Sequence, residues 1–386
     1  MRRLNVVTKL DEAREAPADV PSRPALEDGR EETGEKEEPS DGGAARAEGS
    51  KDGSVHGGNP LYHGESFQTS GLAPKVQPGM LAGLVKTVRP HQWVKNLFVL
   101  APMFFHKDVF LSTSAGPALN LRVTGQALAA TFVFCLLAGA VYTINDVADV
   151  EADRAHPVKR ERPIASGVVP EGMAWALAAL LVVVSIGVSF LLNWRFGAVV
   201  CAYFVENLLY TFKLKKIAYV DVCLIAFGFV LRVFAGGLAT DVRVSWYMLA
   251  CTALLALFLG FGKRRHEIAS GENAGKQRAA LDAYSPVALN VALALTGGAT
   301  FVTYIAYTLD PATTAFFNSR WLWLTTPFTL FGILRFLFLV SGRAGRGLKS
   351  ESPTQEMLRD VPFVLNLVLW MVVVVAIVYR LQPSTT

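Results

Sequence analysis

The stretch Asn145-Asp-Val-Ala-Asp-Val-Glu-Ala-Asp153 places three aspartates at the end of an apolar run, 124–145, that is long enough to cross a bilayer. On one continuous helix these aspartates, Asp146, Asp149 and Asp153, fall within an arc of about 60°, and the preceding asparagine widens it to about 100°. Carboxylates beside a membrane are costly, and at a helix C-terminus the helix dipole opposes them. A cation should offset that cost, and Mg2+ favours carboxylate and phosphate oxygens. The three aspartates are therefore predicted to be metal ligands and catalytic groups.

A basic loop, His156–Gly167, follows the aspartates and carries Lys159, Arg160 and Arg162. An isolated acidic turn would more simply be solvated, and the basic residues alone could reflect the usual excess of positive charge in cytoplasmic loops. The two features together favour a site, because a guanidinium beside an acidic metal motif can bind a phosphate through two hydrogen bonds. We predict that this loop binds substrate phosphate.

Composition divides the chain into two parts. The hydrophobic fraction of 52% is too high for an ordinary soluble protein of 386 residues. Residues 1–78 are instead polar, with ten Lys/Arg against fifteen Asp/Glu, a net charge of −5 that leaves +10 for the rest. A polar, acidic tract cannot bury enough apolar surface to fold. We predict a disordered tail over 1–78 and a transmembrane domain over 79–386.

Nine apolar stretches of spanning length, or close to it, follow the tail. No alternating pattern suggests a membrane β-barrel, so the predicted fold class is all-α, a polytopic helical bundle. The predicted spans are 93–106, 124–145, 172–192, 196–212, 217–238, 245–262, 286–308, 321–341 and 362–381. The loops after the even-numbered spans hold sixteen Lys/Arg and the opposite loops five. This imbalance predicts an inner-membrane protein whose N-terminus and aspartates face the cytoplasm.

Lys95 and Asn96 begin the first span, beside an interfacial tryptophan. A snorkelling lysine is a common feature of span ends, but Gln92 and Asn96, one turn apart, favour a site. Tyr210 and Lys215 flank the turn after the fourth span and are further candidates for substrate binding.

Charges in and after the fifth and sixth spans have structural alternatives. Asp221 could complement a helix dipole, whereas Arg232, about 16 Å further along the helix, needs a polar cavity or an acidic partner. Lys263 and Arg264 could act only as the positive charges that set the orientation of the chain in the membrane. Glu267 could orient one of the arginines. All four basic or acidic residues, Asp221, Arg232, Lys263 and Arg264, are kept as substrate-binding candidates.

Several strings resemble the UbiA-type superfamily of intramembrane prenyl and polyprenyl-phosphate transferases, over residues 89 to about 380. They are Arg89-Pro-His-Gln-Trp-Val-Lys-Asn96, Asn145 to Gly167, Gly262-Lys-Arg with Glu267, Tyr210-x-Phe-x-Leu-Lys215 and Arg232-x-x-Ala-Gly-Gly237. The likeness is greatest to the branch that modifies decaprenyl-type phosphates with phosphoribosyl groups. One departure is the lack of the second aspartate motif that many prenyltransferase relatives carry near the sixth span.

The resemblance implies Mg2+-dependent transfer of 5-phosphoribosyl from phosphoribosyl diphosphate to polyprenyl phosphate, for the synthesis of cell-envelope glycan precursors. It implies that Asn145 and the three aspartates hold Mg2+ and the diphosphate, and that Lys95, Tyr210 and Lys215 lie near the diphosphate or the acceptor phosphate. The lipid bilayer is the expected environment, a homo-oligomer is compatible with the sequence, and a nucleic acid is not an expected partner.

Two other functions stay open at this point. Prenyl transfer from a polyprenyl diphosphate to an aromatic acceptor would use the same magnesium–diphosphate chemistry. A transporter would be a different class, but transporters usually hold ionisable groups near the membrane midplane and often show repeat symmetry. Here the charges gather at one rim, and no repeat is visible.

Overall fold

The computed structural model describes residues 79–105, 109–113, 116–269, 283–341, 357 and 359–379. The predicted disordered tail over 1–78 lies outside the described residues, so it stays a prediction. Within the described residues the fold is an α-helical bundle, which confirms the predicted class.

Twelve α-helices are described, numbered α1 to α12 in chain order. They are α1 Met80–Val88, α2 Ala101–Phe105, α3 Leu121–Ala148, α4 Val150–Arg154, α5 Glu171–Leu192, α6 Trp194–Phe212, α7 Val220–Thr240, α8 Trp246–Ala269, α9 Pro286–Leu309, α10 Pro311–Phe317, α11 Thr326–Val340 and α12 Val361–Val378. Four 3-10 helices lie between them, at Pro90–Leu100, Lys159–Glu161, Leu214–Lys216 and Trp321–Thr325.

Seven of the described helical segments are long and apolar enough to cross a membrane, by length and composition. The predicted count of nine spans is therefore not reproduced. The first predicted span, 93–106, falls on a 3-10 helix followed by the short helix α2, and the fourth, 196–212, falls on α6, which is not among the seven. The other seven predicted spans each coincide with one of these segments, because their apolar runs are long and uninterrupted.

Helices α3 and α7 form the centre of the bundle. About 72% of the apolar window of α3 and 56% of that of α7 are buried, against 17–22% for the other spanning segments. Phe134 on α3 packs on Phe196 and Tyr203 of α6 in one of the hydrophobic core clusters. The two central helices therefore carry the residues that can face an internal site.

The 3-10 helix Pro90–Leu100 lies against both central helices and shows a three-residue period. Val94 and Leu97 are half exposed, whereas Asn96 and Val99 are fully buried. Since a 3-10 helix has three residues per turn, positions three apart share a face. One reason for this geometry is Pro102, which has no N–H to donate to the carbonyl four residues earlier. The Ala101 N–H donates to the Phe98 carbonyl instead.

A short antiparallel hairpin, β1 Phe110–Thr113 with β2 Gly116–Leu119, precedes α3. Its register pairs Phe110 with Leu119. The hairpin was not predicted, because two four-residue strands are too short to show a period of two against an apolar background. The hairpin lies at the end of α3 away from the aspartates.

Candidate active site

The aspartates lie where α3 ends, and the chain changes direction among them. Asp149 caps α3 with φ −102° and ψ 10°, and the separate short helix α4 carries Asp153. The continuous helix expected from the sequence is therefore interrupted. Asp146 and Asp153 are nonetheless both buried, while the intervening Glu151 has an 83% exposed side chain, on the far side as expected.

Two guanidinium groups hold the buried carboxylates. Arg162 Nη1 lies 2.6 Å from Asp153 Oδ2 and 3.2 Å from Asp146 Oδ1, so it joins the two aspartates across the break. Arg89 donates from Nη2 to the same Asp146 Oδ1. The carboxylate of Asp146 thus faces two cations, as a buried charge requires.

Local backbone geometry presents these arginines. Arg89 adopts a left-handed conformation, φ 53°, between α1 and the 3-10 helix, and its guanidinium lies 5.2 Å from the ring centre of Tyr142. Arg162 ends the 3-10 turn Lys159–Glu161 in an extended conformation, φ −65° and ψ 144°, because Pro163 disfavours the helical region for the residue before it. Both turns point a cation at the end of α3.

A lysine from the distant turn after α6 holds the third aspartate. Lys215 Nζ lies 2.6 and 2.7 Å from the two oxygens of Asp149 and 3.4 Å from Asn145 Oδ1. The carboxylate of Asp149 is 35% exposed. This cluster of three aspartates and three cations, Asp146, Asp149, Asp153, Arg89, Arg162 and Lys215, is called the aspartate cluster below.

The donor atoms of the aspartate cluster suit a hard divalent cation. In the part of the chain that the structure describes, no three His, Cys, Asp or Glu side chains converge closely enough to hold a metal by themselves. Mg2+ does not require such a cage, because it commonly binds through one or two carboxylates plus substrate phosphates and water. Asp146 and Asp153 already approach a common cationic nitrogen. These residues therefore fit Mg2+ together with a phosphorylated ligand.

A second polar group lies deeper in the bundle, around Arg232. Its guanidinium donates to Asn96 Oδ1 at 2.9 Å, to the Gly228 carbonyl at 3.0 Å and to the Tyr203 hydroxyl at 2.6 Å. Glu206 is buried nearby, since a Cβ on Gly228 would lie 3.6 Å from Glu206 Oε2 and 3.5 Å from Arg232 Nη1. The expected polar surroundings of Arg232 are present, and Arg232 is already hydrogen-bonded within the protein.

A third group joins α7, α8 and the segment that precedes α9. Arg264 Nε lies 2.8 Å from Asp221 Oδ2, and Arg264 also donates to Glu267. The Tyr284 hydroxyl donates to Asp221 Oδ1 and accepts from the Tyr219 N–H at 2.7 Å. Burial raises the pKa of the Tyr284 hydroxyl, and its bond to Asp221 raises it further, so it stays a donor. Asp221 and Arg264 are almost fully buried, and they are held by each other.

The remaining candidates lie around these groups. Lys95 is half-buried and close enough to Arg89 and Arg232 to be repelled by both. Tyr210 interacts electrostatically with Arg264, and Lys263 Nζ lies 3.9 Å from Glu267 Oε1. In the basic loop, Lys159 is half-buried and Arg160 is exposed.

Four polar residues of these groups were not singled out from the sequence: Arg89, Tyr203, Glu206 and Tyr284. Arg89 is the first residue of the motif Arg89–Asn96, so its place in that motif could have marked it as a site residue. Tyr203 and Tyr284 resemble ordinary membrane aromatics until their hydroxyl partners are known. Glu206 within an apolar run was the clearest missed signal, because intramembrane carboxylates are rare and usually functional.

An apolar cavity of about 410 Å³ lies among α8, α9, α11, α12, the end of the first 3-10 helix and α2. Phe98, Ala101 and Phe105 form one wall. Its few polar groups are largely paired, since Trp370 Nε1 donates to the Tyr304 hydroxyl, which is 2.8 Å from Thr325 Oγ1. The cavity therefore suits an apolar chain better than a polar molecule.

The sequence profile of the UbiA prenyltransferase family matches residues 99–351. The chain belongs to the UbiA prenyltransferase family. This membership confirms the expected superfamily and makes the chain a multi-pass membrane transferase. The aspartate cluster and the apolar cavity lie largely within or beside the matched region.

Two similar UbiA-family relatives carry the name decaprenyl-phosphate phosphoribosyltransferase. The protein from Mycolicibacterium smegmatis is 37% identical over 324 residues, 82% of this chain and 97% of the relative. The one from Corynebacterium glutamicum is 35% identical over 301 residues, 77% of this chain and 87% of the relative. Nearly the whole of these relatives is therefore represented here.

A solved structure of a UbiA homologue from Archaeoglobus fulgidus, bound to DMAPP and Mg2+, shares the fold with a TM-score of 0.57. The two sequences are 17% identical, and the alignment covers 78% of this chain and all of that one. At this identity the likeness supports the UbiA fold alone.

Proposed function

We propose that this UbiA-family protein transfers the 5-phosphoribosyl group of phosphoribosyl diphosphate to a decaprenyl-type polyprenyl phosphate and releases pyrophosphate. One observation carries the site assignment, namely that three cations converge on three carboxylates at one end of a membrane bundle. The relatives named decaprenyl-phosphate phosphoribosyltransferase support the choice of donor and acceptor.

Asp146, Asp149 and Asp153 would hold Mg2+ together with oxygens of the donor diphosphate. Asn145 Oδ1, which already shares Lys215 with Asp149, would add a neutral oxygen on the same side. When bound, Mg2+ supplies positive charge that stabilises the departing pyrophosphate. A solved UbiA homologue that binds DMAPP and Mg2+ supports the choice of metal.

The protein's own cations would seat the diphosphate. Arg89, Arg162 and Lys215 now neutralise the aspartates, and each can turn to a phosphate oxygen once a divalent ion takes over that task. Charge-assisted hydrogen bonds of this type are stronger than neutral ones and fix orientation. The candidates Lys159, Arg160, Lys263 and Tyr210 lie at the same end and are proposed to contact the donor.

The reaction needs no strong general base, because the acceptor phosphate is already anionic. One of its oxygens bonds to C1 of the ribose while the bond from C1 to the diphosphate oxygen breaks, and pyrophosphate leaves with that electron pair. Cationic side chains fixed in advance stabilise the charge that develops on the leaving group. The product, polyprenyl-phosphoryl-phosphoribose, would supply pentose units for cell-envelope glycans.

The apolar cavity of about 410 Å³ would take part of the polyprenyl chain. We place the protein in the inner membrane with the aspartate cluster facing the cytoplasm, where a soluble phosphorylated sugar is available. The sixteen-to-five bias of Lys/Arg between the two sets of loops supports this orientation.

A two-tube assay tests the proposal. One tube holds purified protein, Mg2+, polyprenyl phosphate and phosphoribosyl diphosphate labelled in the ribose; the other holds labelled polyprenyl diphosphate with an aromatic acid. Label should enter the lipid phase in the first tube, and chelation of Mg2+ should prevent it. Asp146→Asn should abolish this transfer, whereas the matched control Glu151→Gln should retain it, because Glu151 faces solvent. Product in the second tube alone would instead assign prenyl transfer to an aromatic acceptor.

A further inference from the structure

The three faces of the 3-10 helix Pro90–Leu100 meet different surroundings. Val94 and Leu97 face outward and are more than half exposed. Asn96 and Val99 face the central helices, where the Val99 carbonyl would lie 1.9 Å from a Cβ added to Gly236. The third face carries Lys95 and then Phe98, one turn on, which are both half-buried.

This third face joins a cation to the apolar cavity. Phe98 and Ala101 line the cavity, and Lys95 precedes them at the same three-residue spacing. At about 2 Å of rise per residue, Lys95 lies about 6 Å along the helix from Phe98. The face therefore presents an ammonium group at one end and an apolar wall from there onward.

Lys95 is placed to accept an anion from outside the protein. Within the part of the chain that the structure describes, no hydrogen bond or ion pair reaches its ammonium, and its neighbours include two guanidinium groups, Arg232 and Arg89. Arg232 is already engaged with Asn96, Gly228 and Tyr203. A half-buried cation in a membrane protein is costly without an anionic partner.

We propose that Lys95 binds the phosphate of the polyprenyl phosphate acceptor, with the first isoprene units running from Phe98 along Ala101 into the cavity. This assignment rests on the proposed function and divides its site into two halves. The aspartate cluster would hold the diphosphate of the donor, which has no apolar chain. Lys95 would hold the phosphate that is joined to an apolar chain. Its proximity to Arg89, which contacts Asp146, brings the two halves together.

Three lysine variants test the phosphate half: Lys95→Met, Lys95→Arg and the control Lys86→Met on the exposed surface of α1. Lys95→Met should raise the KM for polyprenyl phosphate by about 10- to 100-fold, the effect of losing a charge-assisted hydrogen bond. The KM for phosphoribosyl diphosphate should change by less than about twofold, which also shows that the variant is folded. Lys95→Arg should restore most of the acceptor affinity, and Lys86→Met should match the unaltered protein.

Two variants of the same helix test the tail half. Ala101→Phe fills the cavity wall, whereas Leu97→Phe places the same phenyl ring on the outward face. Ala101→Phe should raise the KM for a decaprenyl-length phosphate about tenfold or more and have less effect on a short prenyl phosphate. Leu97→Phe should leave both values unchanged. Equal effects of the two substitutions would overturn the predicted register.

Direct binding without donor separates this inference from the proposed function. Polyprenyl phosphate, polyprenol and inorganic phosphate are each titrated into the unaltered protein and Lys95→Met. The inference is supported if the unaltered protein binds polyprenyl phosphate more tightly than polyprenol or inorganic phosphate, and if Lys95→Met loses this preference. That result would support it even if phosphoribosyl transfer fails. If transfer occurs but Lys95→Met raises only the donor KM, or neither KM, the proposed function stands and the acceptor assignment is wrong.

Discussion

Lys215 holds both carboxylate oxygens of Asp149, at 2.6 and 2.7 Å, although the two residues are 66 positions apart. The contact joins the turn after α6 to the break between α3 and α4. Since Asp149 is the most exposed of the three aspartates, this ion pair is the one that an incoming phosphorylated donor and its metal would meet first.

Removing that ammonium should impair donor use. Lys215→Met should lower kcat/KM for phosphoribosyl diphosphate by about 10- to 100-fold, because one charge-assisted contact to the diphosphate is lost. The matched control is Lys216→Met, in the same 3-10 turn but exposed. Steady-state kinetics at saturating acceptor measures the effect. Equal activity of the two variants would show that Lys215 only stabilises the turn.

The close approach of Gly236 to the 3-10 helix Pro90–Leu100 should tolerate no side chain. A Cβ at Gly236 would lie 1.9 Å from the Val99 carbonyl oxygen, so Gly236→Ala must push the two backbones apart. We expect a lower melting temperature in detergent and a higher KM for the acceptor, since Lys95 moves with its helix. Gly187→Ala on α5 is the control, because nothing lies within 4 Å of its added Cβ. That change should be neutral or stabilising by up to about 1 kcal/mol. An unchanged melting temperature in Gly236→Ala would contradict the packing described.

The hydrogen bonds of Arg232 should make it a stability determinant. Arg232→Met leaves Asn96, Tyr203 and the buried Glu206 without their cation, at a cost of about 3 kcal/mol or more. Arg195→Met, at an exposed position, should change the free energy of unfolding by about 0.5 kcal/mol or less. Thermal and denaturant unfolding in detergent compare the two. Similar losses in both variants would argue against a buried role for Arg232.

The pair Arg335–Asp360, which links α11 to the start of α12, predicts a pH effect. Arg335 donates to both oxygens of Asp360 at 3.0 and 2.7 Å, and this bonding lowers the pKa of Asp360 below its ordinary value of 3.8. A depressed pKa contributes stability above pH 3.8, and that stability is lost as the pH falls through the lower, folded-state value.

Asp360→Asn keeps a helix-capping side chain but removes the charge. It should lower stability by about 1 kcal/mol at neutral pH, and the difference should shrink as the pH falls below 3.8 and vanish below the depressed pKa at which the native carboxyl protonates. Asp310→Asn, which makes the same change at the cap that bonds Thr313, is the control. Melting temperatures across pH measure both. If the stability difference between the unaltered protein and Asp360→Asn grew as the pH fell, the pKa of Asp360 would not be lowered in the folded state.

Much of the fold was predictable because lipid imposes a simple rule on sequence. Seven predicted spans match spanning segments to within a few residues at most ends, since a helix in lipid requires a long apolar run. Asp310 and Asp360 each cap the helix that begins at the next residue, and an aspartate followed within two residues by a proline is a sequence signal for such a start. The first span was the weakest prediction, because apolar length does not distinguish an α-helix from a 3-10 helix.

The candidate site was predictable in its residue types but not in its pairings. The aspartates, Lys215, Arg162 and Arg232 were singled out, and the structure places each in a polar group. Their division into three groups followed from no local pattern. Asp221 and Arg264, for example, were substrate-binding candidates and are found bound to each other. Their contact spans 43 positions, and sequence spacing carries no information at that range.

By itself, the sequence determined that this chain is an α-helical membrane protein, which end of the bundle carries the charges and which family it belongs to. These properties depend on composition, on apolar run length and on short motifs, all of which are local along the chain. Only the tertiary structure decided which cation faces which carboxylate and that Lys95 shares a face with an apolar cavity. Such contacts depend on how the helices pack. They also depend on one 3-10 helix, which has three residues per turn instead of the 3.6 of an α-helix. The physical reason is that charge pairing inside a bundle is fixed by the neighbours that folding brings together.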